Sequence, residues 1–247
     1  MLDKKLRITS SIVCLFILFT ITGCQKLQDY IYTHGNADYK ACSIKKVTSI
    51  SAEDTTTYIF TYNSFGDPVS ITHNNVFTGR PNYSFYYDNK KRLIRFVKPY
   101  TNGKYDEWQE YEYNNKNQIV KATAYTFGDL AGNIPQPSPY LAYLYFDYDA
   151  QGRISHVRQE NIVGSVVSVS EKNYVYDANG NLVNGAVYDN KLNPNRTNAV
   201  WMFITRNYSL NNPFVATQYN KNNLPTHCHA IDIVPSGGDV YIDYLCQ

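Results

Sequence analysis

From Tyr58 onward, aromatic and polar residues alternate in short runs that keep ending in the same kind of turn. Tyr58, Phe60 and Tyr62 fall on one side of an extended chain, with Thr61 and Asn63 on the other. Tyr111 and Tyr113 alternate with Glu110 and Glu112 in the same way. A period of two marks a strand with one buried face. Five segments carry the full pattern: 58–69, 83–93, 109–119, 144–154 and 172–182. Their pivot tyrosines, Tyr62, Tyr87, Tyr113, Tyr148 and Tyr176, lie 25, 26, 35 and 28 residues apart, which is a repeat. A degenerate sixth copy reads at 218–224.

Each copy predicts a β-hairpin. The pivot is followed by Asn63, Asp88, Asn114, Asp149 or Asp177, whose side chain can accept from backbone N–H groups two residues on and start a turn. The fourth residue after the pivot is Gly66, Gly152 or Gly180, suited to the left-handed backbone of a type I turn with a bulge. Asn117 tolerates that geometry, and Lys91 does so at a cost of about 1 kcal/mol. An aliphatic residue then opens the return strand. The chain therefore predicts an all-β fold, an antiparallel meander of repeated β-hairpins with about ten to fourteen strands, forming a twisted, partly wrapped sheet. Residues 128–139, with Pro135, Pro137 and Pro139, predict a surface loop. The apolar run 198–206 predicts a buried strand, with a short helix covering an open sheet as the alternative.

Residues 1–23 read as a targeting segment. Lys4, Lys5 and Arg7 precede an apolar stretch of about 15 residues, too short to span a bilayer comfortably. The Ile21-Thr22-Gly23-Cys24 end resembles the lipobox of bacterial lipoproteins, which implies lipidation of Cys24 and anchoring by acyl chains at about 0.8 kcal/mol per buried methylene. Gln25 stands where, under the proteobacterial sorting rule, lipoproteins retained at the inner membrane carry an aspartate, so the outer membrane is expected. Surface and periplasmic exposure both stay open. Residues 24–41 predict a lipidated tether and 42–247 a single all-β domain, with the repeats over about 58–185 and a non-repeat C-terminal part.

The repeat itself also resembles a known family. Tyr148, Asp149, Gly152, Arg153 and Ile154 resemble the YD repeat of the rearrangement-hotspot (Rhs) and teneurin-type proteins. Tyr176, Asp177, Gly180 and Leu182 match nearly as well; Tyr87-Asp88 keeps Arg92 and Leu93 without the glycine, and Asn63 and Asn114 replace the aspartate. Those families wind such hairpins into large β shells. With the lipobox, the chain is similar to YD-like lipoproteins of Gram-negative envelopes. The resemblance implies a fold and carries over no catalytic or binding residue.

Charge excludes one class of partner. Removing the first 23 of 247 residues takes away three of 23 basic and one of 21 acidic residues, leaving 20 of each. A neutral chain without a basic block is a poor nucleic-acid binder. Three cysteines, Cys42, Cys228 and Cys246, remain after Cys14 and Cys24, so one disulfide and one free thiol are expected in an oxidising envelope. If 235–239 form a hairpin loop between strands 230–234 and 240–245, Cys228 faces Cys246 within disulfide range and Cys42 is free. Cys42–Cys246, joining first and last strands, is the rival pairing.

Candidate chemistry is sparse. His227 and His229 share a strand face, but no third and fourth ligand stands at a telling spacing, so no metal or cofactor is assigned. Glu107, Glu110 and Glu112 form the most acidic stretch, either a carboxylate set for glycoside hydrolysis or a solvated strand face guarding an edge. No nucleophile elbow, zinc helix, phosphate loop or dinucleotide fingerprint occurs. The reading is a non-enzymatic binding or scaffold module of the cell envelope, held to the membrane by lipid and meeting a glycan, peptide or envelope protein. A glycan-degrading hydrolase is the rival, and an accessory of a secretion or toxin system follows only from the Rhs resemblance. The tyrosine rows are expected in the core, with an exposed stacking platform as the other option.

Overall fold

The computed structural model describes residues 42–246 apart from 133, 137 and 215; the targeting segment, the tether and Cys24 lie outside the described residues. The fold is all-β and antiparallel. Its strands are β1 (Cys42–Ile50), β2 (Thr55–Tyr62), β3 (Pro68–His73), β4 (Tyr83–Tyr87), β5 (Leu93–Pro99), β6 (Lys104–Tyr113) and β7 (Ile119–Ala131). They continue with β8 (Ile134–Pro135), β9 (Tyr140–Tyr148), β10 (Ile154–Val163), β11 (Val166–Asn173), β12 (Gln218–Tyr219), β13 (Pro225–Cys228) and β14 (Asp239–Cys246). All belong to one 14-stranded sheet in the order β11-β10-β9-β7-β6-β5-β4-β3-β2-β1-β14-β13-β12, with β8 alongside β7.

The turns that join pivot to return strand share one geometry. In every copy the residue after the pivot closes the loop through its backbone, as Asp88 N–H does to the Arg92 carbonyl at 3.0 Å and Asn220 N–H to that of Leu224 at 2.9 Å. Its side-chain oxygen accepts two further N–H groups, those of Lys90 and Arg92 for Asp88 and those of Asn222 and Leu224 for Asn220. The fourth residue after the pivot is left-handed throughout: Gly66, Lys91, Asn117, Gly152, Gly180 and Asn223. Copy 218–224 is thus a full member. In two of the three turns that start with aspartate, the fifth residue is an arginine that pairs with it, Arg92 with Asp88 and Arg153 with Asp149, both at 2.7 Å; in the third, Asn181 takes that place behind Asp177. Each arginine also lies over the next pivot ring, Arg92 over Tyr113 and Arg153 over Tyr176.

The pivot tyrosines face the core. Each pivot is paired with the residue six positions later, as Tyr62 with Pro68, Tyr87 with Leu93 and Tyr113 with Ile119. The next pivot in the sheet then donates its hydroxyl to that residue's carbonyl: Tyr87 to Pro68, Tyr113 to Leu93 and Tyr148 to Ile119, at 2.8, 2.8 and 2.7 Å. The series runs on through the chain termini. Tyr244 donates to Pro225, the partner of Tyr219, and Tyr62 donates to Ile44, the partner of Tyr244. First and last strands therefore make a split copy of the repeat.

In that split copy a disulfide stands where the others have a hairpin loop. Cys42 and Cys246 are opposite one another and bonded, with Cα atoms 4.0 Å apart. This corrects the expected Cys228–Cys246 pair in favour of the rival. The physical reason is register: β14 lies between β1 and β13, and Cys228 pairs with Val240. Residues 230–234 are not a strand; Ile231, Ile233 and Val234 turn inward as core, and Ser236 holds Ile231 through both its backbone N–H and carbonyl. Cys228 is a buried free thiol donating to the Ala230 carbonyl, and burial pushes its pKa up to about 11.

One short helix fills the sheet's inner face. Residues 199–205 form α1 (Ala199–Thr205), the alternative to the expected strand. Asn198 caps it by accepting from Val200 N–H, and Arg206 ends it in a left-handed conformation. Trp201 meets Phe60, Tyr62 and Phe85 edge-on, while Phe203 meets Tyr111 and Phe146. A seven-residue helix is about 10 Å long, whereas the six strand spacings from β2 to β9 cover about 29 Å in a flat sheet. The sheet must curl around α1 for one helix to touch both sides. On the outer face Trp108, Tyr105 and Val97 form a second small core with Leu130 and Tyr125. Residues 128–131 continue β7 and β8 folds back on it, so only part of the proline segment is loop, and Tyr105 donates to the Gln136 carbonyl.

Candidate functional site

On the inner face, where β5 and β6 run past the end of α1, a cavity of about 270 Å³ remains. Phe96, Phe146 and Phe203 give it an apolar floor. Its wall carries Lys98, Glu107, Gln109, Tyr111, Arg206 and Asp232. Strand alternation selects the first four: Lys98 is opposite Glu107, and Gln109 and Tyr111 follow on the same face. Arg206 arrives as the left-handed cap of α1, and Asp232 from the irregular connection before β14.

The four strand residues form a chain of hydrogen bonds. Lys98 Nζ lies 2.6 Å from Glu107 Oε2. Gln109 donates its amide to Glu107 Oε1, and Tyr111 donates its hydroxyl to Gln109 Oε1 at 2.9 Å. Asp232 accepts from Asn207 at 3.0 Å. Tyr111 is raised well above the ordinary phenol range, first by burial and then by the Glu107 charge, with Arg206 acting the other way. Burial likewise raises Tyr83 at the cavity edge, with Glu107 adding to it. The cavity thus presents donors and acceptors of both signs above an aromatic floor, an arrangement suited to a small, hydroxylated or zwitterionic molecule.

The sequence candidates separate on the fold. Glu107 lines the cavity, whereas Glu110 and Glu112 point to the outer face, where Arg95 and Lys121 each pair with one of them at 2.8 Å. The three acidic residues therefore do not act as one set. His227 stacks on Tyr241 and uses both ring nitrogens, toward Thr217 at 2.7 Å and Asp239 at 3.1 Å; His229 stands 3.8 Å from Asp239. Among the described residues, no three His, Cys, Asp or Glu side chains gather as a metal site. The pivot tyrosines lie in the core cluster. Lys98, Gln109, Arg206 and Asp232 escaped the sequence reading. For Lys98 and Gln109 the strand parity shared with Glu107 was a usable signal, but Arg206 and Asp232 sit outside any repeat.

No protein-family model matches the chain, and no curated protein matches it. A crystal structure of a porin-like protein from Bacteroides uniformis is similar over 82% of this chain and 96% of that one, at 9% sequence identity and a TM-score of 0.33.

Proposed function

We propose that the chain is an outer-membrane lipoprotein, anchored through Cys24, whose domain is a non-enzymatic binding module of the cell envelope. The observation that carries the binding role is the inner cavity, with Lys98, Glu107, Arg206 and Asp232 set around an aromatic floor. The anchor rests on the lipobox-like end at Ile21-Thr22-Gly23-Cys24. Kinship with YD-repeat lipoproteins belongs to the same proposal and is supported by the common turn geometry of the six copies. The ligand is a sugar or peptide fragment small enough for about 270 Å³. Titration of the full-length protein in detergent with N-acetylglucosamine and with dialanine tests the binding role. Saturable heat lost in Glu107→Gln and Arg206→Ala supports it, and no heat with either probe removes it. Incorporation of labelled palmitate that disappears in Cys24→Ser tests the anchor.

A specific observation favours a second reading. Glu107 and Asp232 are two carboxylates on one cavity, the equipment of a glycoside hydrolase. Release of reducing ends from a glycan, lost in both Glu107→Gln and Asp232→Asn, would replace the non-enzymatic reading.

A further inference from the structure

At the sheet end opposite the repeat turns, a second cleft of about 410 Å³ opens between the β3–β4 connection, the β5–β6 turn and the end of β7. Two aromatic rings line it from opposite sides, Phe77 and Phe127, which are 50% and 69% exposed. Strand order places the β5–β6 turn, residues 100–103, between them. Exposed rings on a soluble domain are ordinarily mobile, but both of these are held.

Phe77 belongs to a stapled loop. Its carbonyl accepts from Arg80 N–H at 2.8 Å, and Arg80 reaches Asp54 at 2.7 Å. Gly79 N–H donates to the Tyr100 hydroxyl, which in turn donates to Asp106, both at 3.0 Å. Phe127 is held differently: it adopts φ 54° inside a strand, an unfavourable conformation for a bulky side chain. The glycine beside it is no substitute, because a Cβ on Gly128 would fall 2.2 Å from the Tyr105 hydroxyl oxygen. Phe127 also meets Tyr140 edge-on. Preorganised aromatic rings lose little entropy on binding.

The remaining lining defines the ligand. Thr78, Thr101, Asn102 and Tyr100 offer hydroxyl and amide groups. The two charges, Lys104 and Asp129, stand 3.7 Å apart and offset each other. Apolar faces with a neutral, hydroxyl-bearing rim match a sugar ring, whose C–H faces stack on aromatic rings and whose edge is all hydroxyls. We infer that this cleft is a saccharide site in which a neutral, extended glycan crosses the β5–β6 turn, with one sugar ring on Phe77 and another on Phe127. The inference deepens the binding role proposed above and is independent of the inner cavity.

The test is calorimetric titration of the full-length protein in detergent with two neutral probes, cellohexaose and maltohexaose. At least one binds, and Phe77→Ala and Phe127→Asn each weaken it tenfold or more. Asparagine suits a left-handed backbone, so Phe127→Asn keeps the Tm or raises it. Glu107→Gln, in the inner cavity, leaves hexasaccharide affinity unchanged. Binding of neither hexasaccharide overturns the inference, as does wild-type affinity in both aromatic variants. A several-degree fall in Tm for Phe127→Asn makes Phe127 a structural residue and overturns its role. Loss of binding in Glu107→Gln alone moves the sugar to the inner cavity, overturning the cleft while sparing the binding role.

Discussion

The hydroxyl of Tyr87 donates to the carbonyl of Pro68 at 2.8 Å, and Pro68 is the residue paired with Tyr62, the pivot one copy earlier. The same offset relates Tyr113 to Leu93 and Tyr148 to Ile119. Hairpins are thus riveted to their neighbours by side chains as well as by the backbone ladder. Removing one hydroxyl leaves a part-buried carbonyl without that donor. Tyr87→Phe and Tyr113→Phe should each cost about 1–3 kcal/mol in urea unfolding. Tyr86→Phe, on the outer face, should stay within about 0.5 kcal/mol.

The Cys42–Cys246 bond joins positions 204 residues apart. Cys246→Ser should cost about 2–5 kcal/mol, read from the denaturant midpoint. A non-reducing peptide map should recover Cys42 with Cys246. Cys228, buried and with its pKa pushed up to about 11, should react with iodoacetamide only after unfolding.

Gly66 has φ 85° and open space around the position of a Cβ. Gly66→Ala should therefore cost about 1 kcal/mol through the backbone alone. Lys91 occupies the equivalent place at φ 64°, with its ammonium 3.6 Å from the Phe65 ring centre. That cation–π contact returns about 0.5–1 kcal/mol, so Lys91→Gly should gain less than the glycine geometry suggests. Thermal melts of both variants measure the difference.

Burial works to raise the Asp88 carboxyl, but hydrogen bonds from Arg92 and Lys90 and the Arg92 charge outweigh it and hold it below the usual carboxylate range. A depressed folded pKa means stability that is present above the unfolded value, about 3.9, and is lost as pH falls further. Asp88→Asn should lower the Tm at pH 7, and the gap to wild type should close as both are taken down to about pH 2. A gap that persists at low pH would show that the Asp88 charge is not what the turn uses.

The local turns were legible because each is a short-range device. An Asx side chain, a left-handed fourth residue and period-two aromatics all act within about ten residues, so Tyr148 to Ile154 announces its own hairpin. Even the weak copy at Tyr219 obeys, since Asn220 and Asn223 supply the same two functions. The run 198–206 was harder, because its apolar residues suit a buried strand or a buried helix equally. Cavity residues divided along the same line: Glu107 was visible in an acidic stretch, whereas Arg206 and Asp232 reach it only through the helix end and an irregular connection.

By itself, the sequence determined the all-β class, the hairpin unit, the turn geometry and the common face shared by the pivot tyrosines and their neighbouring aromatics, because these follow from contacts between residues close in the chain. Only the tertiary structure decided that β1 and β14 meet as a split copy, that Cys42 and not Cys228 bonds to Cys246, and that the sheet curls around Trp201 and Phe203. Those outcomes depend on which strands become neighbours across some two hundred residues. No local pattern encodes that choice; it is settled by burying one helix and the sheet's aromatic face together in a single core.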